Sequence, residues 1–447
     1  MDRPIHRVVD LIRDDDQQIQ NMRVDEARTR LGGAPDGVLE IQGSFALTAR
    51  DGELVLMARS LDRPMRYFLA KEVEGPLLVV AERIDEIAAE LDRRGYRDQF
   101  HPSYTRMVPA HHVTALRLIG CPDPNPEQRR FFDPPRGTFA TDLDLIGDAY
   151  IGALATEVDA WLAAQDRQAP LGVLFSGGID STATLVAVYH ALLARGESAA
   201  RLKAFTLAVD GQGADLEQAR RALAQLDLGF LHEVIDTPAE RLDPLEAVAV
   251  IEDYKPLDVE CATMVLALLA GIRERYPDWR LIVDGDGGDE NLKDYPLEED
   301  TELTIRSVVS NSMLYQEGWG VDAIKHSLTY SGGLSRACVR GRAPARRLGF
   351  VGFSPFTRPE VVRVAEAIPF DELTRGSVDR LYALKGDIVR RGLERRYGGT
   401  MPIFPKRRFQ HGAATSTTFT TRFAVAPEQY RAHFHSLWGA RTGAHPA

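Results

Sequence analysis

The chain has 447 residues, too many for one ordinary hydrophobic core, and this length predicts two domains. Its 54 Lys and Arg residues stand against 65 Asp and Glu residues; the formal net charge of -11 repels a phosphate backbone and argues against a nucleic-acid partner. The 3 cysteines are far apart, which argues against a disulfide framework or a thiolate zinc site. No apolar run reaches the ~20 residues of a membrane span, and the polar start carries no secretion signal, so we expect a cytoplasmic protein without membrane contact.

The first third of the chain has the pattern of antiparallel strands. Apolar and polar residues alternate over residues 38–81, with turn signals between them. Asp51-Gly52 predicts a tight hairpin, because glycine supplies the positive φ that such a turn needs, and Glu74-Gly75-Pro76 predicts a second hairpin. Helical spacing follows over residues 82–91. We therefore expect a β-rich first domain.

A proline-rich stretch then separates this region from one of different texture. Residues 122–126 and 133–137 contain too much proline for a helix or a central strand, so we place a linker there, between domains at residues 1–125 and 138–447. Beyond it, apolar strands alternate with longer helical patterns, which is typical of a parallel α/β sheet. Strands are predicted at residues 172–175, 202–209, 230–235 and 280–284, and helices at residues 182–193, 214–226 and 259–275. From residue 303 onward the pattern is mainly helical.

The most informative motif is a glycine-rich turn between a strand and a helix. It reads Ser176-Gly177-Gly178-Ile179-Asp180-Ser181. Gly177 and Gly178 let backbone N–H groups approach an anion, and the following helix presents its free amides to the same point, so the turn predicts a phosphate site. Asp180 would repel phosphate unless a cation bridged the two, which indicates Mg²⁺. A tight turn with a capping side chain explains single residues of this motif but not the set.

A second apolar strand delivers acids into a glycine-rich loop, Asp284-Gly285-Asp286-Gly287-Gly288-Asp289-Glu290. In a parallel sheet both loops leave the carboxyl edge, where ligands bind, so Asp289 is placed to share a metal ion with Asp180. A solvated acidic turn is the alternative, and it is weaker beside the first loop.

These two loops resemble the pyrophosphatase loop and the acidic loop of asparagine synthetases. Phe205-Thr206-Leu207 resembles the strand that lines the adenine site of that family. Phe404-Pro405-Lys406, leading to Gly412, is similar to its lysine-bearing loop and is closest to that of the β-lactam and carbapenam synthetases. Met57-Ala58-Arg59 and Met65-Arg66-Tyr67-Phe68 resemble strands of the glutaminase domain that precedes the synthetase domain.

The resemblance implies a fold and an activity. The fold is an α/β protein with an amino-terminal antiparallel, Ntn-glutaminase-like domain and a carboxyl-terminal parallel-sheet synthetase domain of the adenine nucleotide α-hydrolase type. The activity is a carbon–nitrogen ligase that uses ATP and Mg²⁺, adenylates a carboxylate, releases pyrophosphate and forms an amide with ammonia or an amine, in antibiotic-type biosynthesis. The implied ATP contacts are Phe175, Ser176, Gly177, Gly178, Asp180, Ser181, Thr206, Leu207 and Gly285; the metal ligands are Asp180 and Asp289; the catalytic residues are Lys406, Asp286 and Lys385.

Three departures from the family limit this interpretation. No cysteine precedes Cys121, whereas glutamine-using members need an amino-terminal cysteine, so we expect a glutaminase relic that does not hydrolyse glutamine. Asp286 stands where β-lactam-forming members have tyrosine, and the glutamate that partners this tyrosine has no clear counterpart. The arginine-rich loop at residues 332–355 departs from both branches, and we expect it to set substrate choice.

Several alternatives stay open from the sequence. The ligase could close an intramolecular amide, as β-lactam synthetases do, or adenylate an amide or carbonyl oxygen. A catalytically silent binding module is a third option, although its expected signature, the loss of the loop acids, is absent. The expected partners are a small-molecule carboxylate and an amine or ammonia. A homodimer is an open option.

Overall fold

The computed structural model describes residues 3–33, 35–119, 126–292, 338–375 and 380–439. The predicted linker residues 122–125 lie outside them, as do residues 303–337, which begin the predicted helical region and include the first part of the arginine-rich loop, residues 332–337.

Two four-stranded sheets form most of the amino-terminal region. Its strands are β1 (Arg3–Pro4), β2 (Arg7–Asp10), β3 (Gln18–Ile19), β4 (Gly43–Ser44), β5 (Ala46–Asp51), β6 (Leu54–Arg59), β7 (Arg66–Ala70), β8 (Leu77–Ala81), β9 (Arg106–Met107), β10 (His112–Leu116), β11 (Leu118–Ile119) and β12 (Glu127–Arg130), and its helices are α1 (Val24–Gly32) and α2 (Ile84–Arg93). The antiparallel sheet has the order β12-β10-β6-β5. The other, β2-β8-β7-β9, is mixed because β2 and β8 run parallel. Apolar side chains of both sheets share one core, so the sheets pack face to face.

The predicted hairpins are present, with one shift in register. Asp51 pairs with Leu54, so the turn residues are Gly52 and Glu53 rather than Asp51 and Gly52, and Gly52 has the positive φ of 57°. The second hairpin joins β7 to β8 through the predicted turn. Strand β12 is an unpredicted addition that pairs with β10 beyond residue 125. It carries no alternating pattern, because Glu127-Gln128-Arg129-Arg130 lies at an exposed edge of its sheet.

The carboxyl-terminal region contains a five-stranded sheet in which every strand is parallel. Its strands are β13 (Leu171–Leu174), β14 (Leu202–Val209), β15 (His232–Thr237), β16 (Leu281–Val283) and β17 (Val351–Phe353), in the order β15-β14-β13-β16-β17. The four predicted strands are confirmed, and the bounds of β14 coincide with the prediction. Strand β17 was not predicted from the sequence. Phe353 of β17 stacks on Trp161 with the ring centroids 4.6 Å apart.

Helices cover this sheet and extend to the carboxyl terminus of the described residues. They are α3 (Leu143–Ala163), α4 (Ile179–Ala194), α5 (Ala214–Gln225), α6 (Pro244–Ile251), α7 (Pro256–Arg275), α8 (Gly288–Asn291), α9 (Ala343–Arg347), α10 (Pro359–Glu366), α11 (Phe370–Thr374), α12 (Leu381–Tyr397), α13 (Phe409–Gly412), α14 (Ser416–Arg422) and α15 (Pro427–Gly439). A π-helical turn, Cys338–Arg342, precedes α9. In the part of the chain that the structure describes, no helix combines the length and apolarity needed to cross a bilayer.

Helix α12 lies closely along α3 because both helices carry glycine at their crossing. A Cβ atom at Gly392 would clash with the carbonyl oxygen of Gly147, so a larger residue would push the helices apart. This close packing fixes the position of α12, and with it the side chain of Lys385.

The two regions are joined by a packed interface. Apolar side chains of α2, α6 and α15 form one buried cluster. Glu252, which follows α6, accepts hydrogen bonds from the Ile84 and Asp85 N–H groups at 2.9 Å each, so a carboxylate from one region caps the first turn of a helix in the other. The interface is therefore built from both apolar packing and directed polar contacts.

Candidate active site

The candidate site lies at the carboxyl edge of the parallel sheet, at its topological switch point. Strand β13 has β14 on one side and β16 on the other, so the loops that follow β13 and β16 leave the sheet next to each other. Crevices at such switch points are where open α/β sheets bind ligands. The two glycine-rich loops predicted from the sequence are thus brought together.

The loop after β13 has the geometry of an anion cradle. Gly177 has a φ of 73°, and a Cβ atom there would lie 2.9 Å from the backbone nitrogen of Ala219, so conformation and space both require glycine. Ser176 Oγ accepts a hydrogen bond from the Gly178 N–H group at 3.3 Å, and Ser181 Oγ donates one to the Gly178 carbonyl at 3.2 Å. Gly178 is the N-cap of the long helix α4, whose free amides favour a negatively charged ligand.

Two lysines and two aspartates meet beside this loop. Lys385 Nζ, on α12, donates a hydrogen bond to Asp180 Oδ2 at 2.6 Å and also contacts Asp289 Oδ1. Lys406 Nζ lies 3.1 Å from the same Asp289 oxygen. The Lys385 side chain is only 2% exposed, so its charge sits in a largely dry environment. The structure therefore unites these four predicted residues from four separate segments.

Burial and the lysines act in opposite directions on the two carboxylates. Burial raises the pKa of Asp180 to about 7, although Lys385 opposes this shift. Burial also favours the neutral form of Asp289, but Lys385 and Lys406 outweigh it and hold its pKa well below the usual value. Two partly buried carboxylates thus share the buried ammonium group of Lys385, and Lys406 contacts Asp289 as well.

The Asp180 and Asp289 pair fits a Mg²⁺ ion. Asp180 Oδ1 is buried and has no hydrogen-bond partner, which leaves an oxygen available for a hard cation. Within the described ranges no cluster of three or more His, Cys, Asp or Glu side chains could hold a metal by itself. A magnesium ion here would complete its coordination with phosphate and water, which is its usual behaviour in nucleotide sites.

The acidic loop after β16 places Asp286 in the same crevice. Asp284 Oδ1 accepts a hydrogen bond from the Asp286 N–H group at 3.1 Å. Burial raises the pKa of Asp284 to about 6, and burial together with Asp284 raises that of Asp286 well above its usual value. Gly285 is required by space, because a Cβ atom there would lie 3.0 Å from the Ser181 nitrogen of the other loop.

The residues predicted for the adenine site are not all in the cavity wall. Phe175 lines the cavity, whereas Thr206 and Leu207 are each 1% exposed and do not line it. Thr206 Oγ1 instead donates a hydrogen bond to the Phe175 carbonyl at 2.7 Å. Thr206 therefore supports Phe175 from below, and Leu207 belongs to the core under the sheet.

The cavity has a volume of about 250 Å³ and includes several residues that the sequence did not single out. One wall is the apolar side of α7, with Leu257, Cys261 and Val265, and another is formed by Arg340 and Gly341. Tyr382 donates a hydrogen bond to the Phe404 carbonyl and so fixes the loop that carries Lys406. Leu257, Cys261, Val265 and Tyr382 belong to no local motif, so sequence patterns did not predict them, whereas Arg340 and Gly341 lie in the arginine-rich loop that the sequence did single out.

Asp215 is a further buried acid in this cavity, near the first turn of α5. Burial raises its pKa to about 7, against the influence of Arg407, whose Nη1 lies 3.9 Å from Asp215 Oδ1. Gly412 packs directly on this carboxylate, and a Cβ atom at Gly412 would overlap it. Asp215 thus contacts both ends of the segment that follows Lys406.

The fold and the site define a class of protein: an α/β protein with a glycine-rich loop at the switch point of a parallel sheet, the position at which such folds bind ligands. Residues 158–329 match the family model of asparagine synthase. The match confirms the resemblance to the asparagine synthetase family that the two glycine loops predicted, and it supports an ATP-dependent ligase that forms amides. No curated protein matches the chain. The likeness to the β-lactam branch stays a prediction.

Proposed function

We propose that the protein adenylates the carboxylate of a small acid with ATP, releases pyrophosphate and transfers the acyl group to ammonia or an amine. The observation that carries this proposal is the buried Lys385 between Asp180 and Asp289, placed beside an anion cradle at the start of α4. Cleavage between the α and β phosphates generates a pyrophosphate anion. A cradle of backbone amides flanked by lysines suits that leaving group.

Each residue has a role in this reaction. The amides and hydroxyls of residues 176–181 bind the departing pyrophosphate, and Lys385 holds the two aspartates in register. Asp180 and Asp289 would hold a Mg²⁺ ion, which would neutralise phosphate charge. Lys406 lies at the exposed side of the pair and stabilises the negative charge that develops on oxygen during adenylation and amide formation. Asp286 faces the same cavity and is placed to receive a proton from the attacking amine.

The direct test is isotope exchange between labelled pyrophosphate and ATP. With Mg²⁺ and a small library of carboxylic acids, the protein should exchange label only when its own acid is present, because adenylation is reversible before the amine attacks. ATP turnover that releases ADP and phosphate would contradict the mechanism. Omitting Mg²⁺ should abolish the exchange, since the phosphate charge would then lie unneutralised beside Asp180 and Asp289.

Nitrogen should come from ammonia or an amine and not from glutamine. No cysteine precedes Cys121 in the sequence, and the described residues of the amino-terminal sheets include none, so these sheets offer no thiol to attack a glutamine amide. Product formation should therefore rise with ammonium or amine concentration and show no response to glutamine, when both donors are compared in the same coupled assay. Release of glutamate from glutamine by the purified protein would overturn this prediction.

Intramolecular amide closure is the second candidate, in keeping with a specialised biosynthetic role. The feature that favours it is the lysine-bearing loop, whose sequence around Lys406 resembles that of the β-lactam synthetases. Asp286 in place of the tyrosine of that branch weighs against it. Mass spectrometry separates the two, because ring closure gives the mass of one substrate less one water, whereas intermolecular ligation gives the mass of the acid plus the amine less one water.

A further inference from the structure

Residues 338–347, here called the arginine segment, connect the amino-terminal region to the reaction cavity. The segment consists of the π-helical turn and helix α9, and π turns occur frequently at functional sites. Its first part reaches the cavity and its second part reaches the amino-terminal sheets.

At the cavity, the segment contacts the acidic loop. Arg340 Nε donates a hydrogen bond to Asp258 Oδ1 at 2.8 Å, and the charge of Arg340 opposes the rise in the pKa of Asp286. Gly341 packs against two of the carboxylates of the loop: a Cβ atom there would lie 2.8 Å from Asp284 Oδ2 and 3.0 Å from Asp286 Oδ2. A shift of this backbone would change both the space and the charge around Asp286.

At the other end, buried acids of the amino-terminal region contact the segment. Arg342 Nη1 donates a hydrogen bond to Ser44 Oγ at 3.2 Å and lies 3.8 Å from Asp62 Oδ2. Arg346 pairs with Glu82. The Asp62 and Glu82 side chains are 6% and 3% exposed, and Arg342 is 14% exposed, so the contact of Arg342 with Asp62 is largely shielded from water, whereas Arg346 reaches Glu82 from the surface.

The two sets of contacts belong to consecutive residues. Gly341 touches the acidic loop, and Arg342, the next residue, is held by Ser44 and Asp62. Asp62 also faces Arg358 at 3.4 Å, and although burial favours its neutral form, Arg358 and Arg342 hold its pKa below the usual value. A charged Asp62 is therefore available to hold the segment at the pH of the cell.

We propose that Ser44, Asp62 and Glu82 are positioning residues of the reaction cavity, which act through Arg342 and Arg346 to place Arg340 and Gly341 against Asp286. The amino-terminal region thus contributes to the synthetase site without chemistry of its own. This inference rests on the proposed ligase function for its catalytic consequence. It predicts that loosening the segment weakens selection of the acid more than binding of ATP, because most of the expected ATP contacts lie on the loop after β13.

The test compares Asp62→Asn and the milder Ser44→Ala with Glu90→Gln in the full-length protein. Glu90 is the matched control, because it is also a buried, ion-paired acid of the amino-terminal region, but its partners are Arg93 and Arg94. Hydrogen–deuterium exchange of residues 284–289 and 340–342 is the first readout, and the KM values of acid and ATP in pyrophosphate exchange are the second.

Both test variants should exchange deuterium faster in these peptides and raise the KM for the acid about 10-fold to 100-fold, clearly more than they raise the KM for ATP. Glu90→Gln should change neither. Wild-type deuterium uptake in both folded test variants would overturn the proposal, and Ser44→Ala decides the question if Asp62→Asn does not fold. If the test variants take up deuterium faster but the wild-type protein catalyses no exchange of pyrophosphate into ATP, the positioning role is supported and the ligase function is rejected.

Discussion

Replacing Lys406 by alanine should lower the turnover rate about 10²-fold to 10³-fold, the loss typical when one preorganised positive group is removed from a developing oxyanion. ATP affinity should change little, because Lys406 stabilises the transition state more than the ground state. The fold should survive, since the side chain is 26% exposed and lies outside any helix or strand. Single-turnover kinetics at saturating ATP, with Lys406→Arg alongside, is the measurement.

Arg422→Ala is the matched control for this experiment. Arg422 is the last residue of α14, does not line the cavity, and has a side chain that is 31% exposed. Its Nη2 atom lies 3.4 Å from Glu240 Oε1, so the two side chains form an ion pair. The control removes one positive charge of similar exposure and should leave the rate unchanged. Equal rates in Lys406→Ala and Arg422→Ala would remove Lys406 from the mechanism and leave Lys385 as the only lysine at the aspartate pair within the described residues.

Replacing Lys385 by methionine should abolish turnover and also destabilise the fold. Methionine fills most of the lysine volume but leaves Asp180 and Asp289 facing each other without the buried ammonium, and breaking a buried ion pair in this way costs about 3–5 kcal/mol. The destabilisation should shrink as pH falls from 8 to 5. Without the lysine, repulsion between Asp180 and Asp289 raises the pKa of one of these carboxylates in the folded protein. Above that pKa both are charged and the free energy of unfolding is lowered. Below it, protonation removes one charge and the loss of stability is relieved. Urea unfolding at several pH values measures the effect.

Two comparisons make the Lys385 experiment specific. Lys203→Met removes a lysine that pairs with Glu233 at 2.9 Å near the surface, and should cost at most about 1 kcal/mol. Adding Mg²⁺ should stabilise Lys385→Met more than the wild type, because the cation takes the place of the missing charge. An unfolding free energy of Lys385→Met that equals the wild-type value, with no dependence on Mg²⁺, would contradict the assigned role.

The sequence predicted those features whose signal is local. Strand β14 is an apolar run between two segments with helical spacing, and this pattern predicted it. The turn around Gly177 was predicted because glycine permits the positive φ that the turn requires. The hairpin at Gly52 was predicted with a shift of one residue, since the turn residues alone do not fix the register. Strand β12 was missed, because a polar edge strand has no alternating pattern to detect.

What the sequence determined by itself is the chemistry of the site: two glycine-rich loops, their aspartates and a lysine-bearing segment, each readable from adjacent residues. Only the tertiary structure decided that Lys385 bridges Asp180 and Asp289, and that Arg342 links Asp62 to the reaction cavity. These contacts join residues far apart in the chain, and they depend on how closely α12 packs on α3 and how the two regions meet. Such packing results from the sum of many weak contacts, and no short stretch of sequence records that sum.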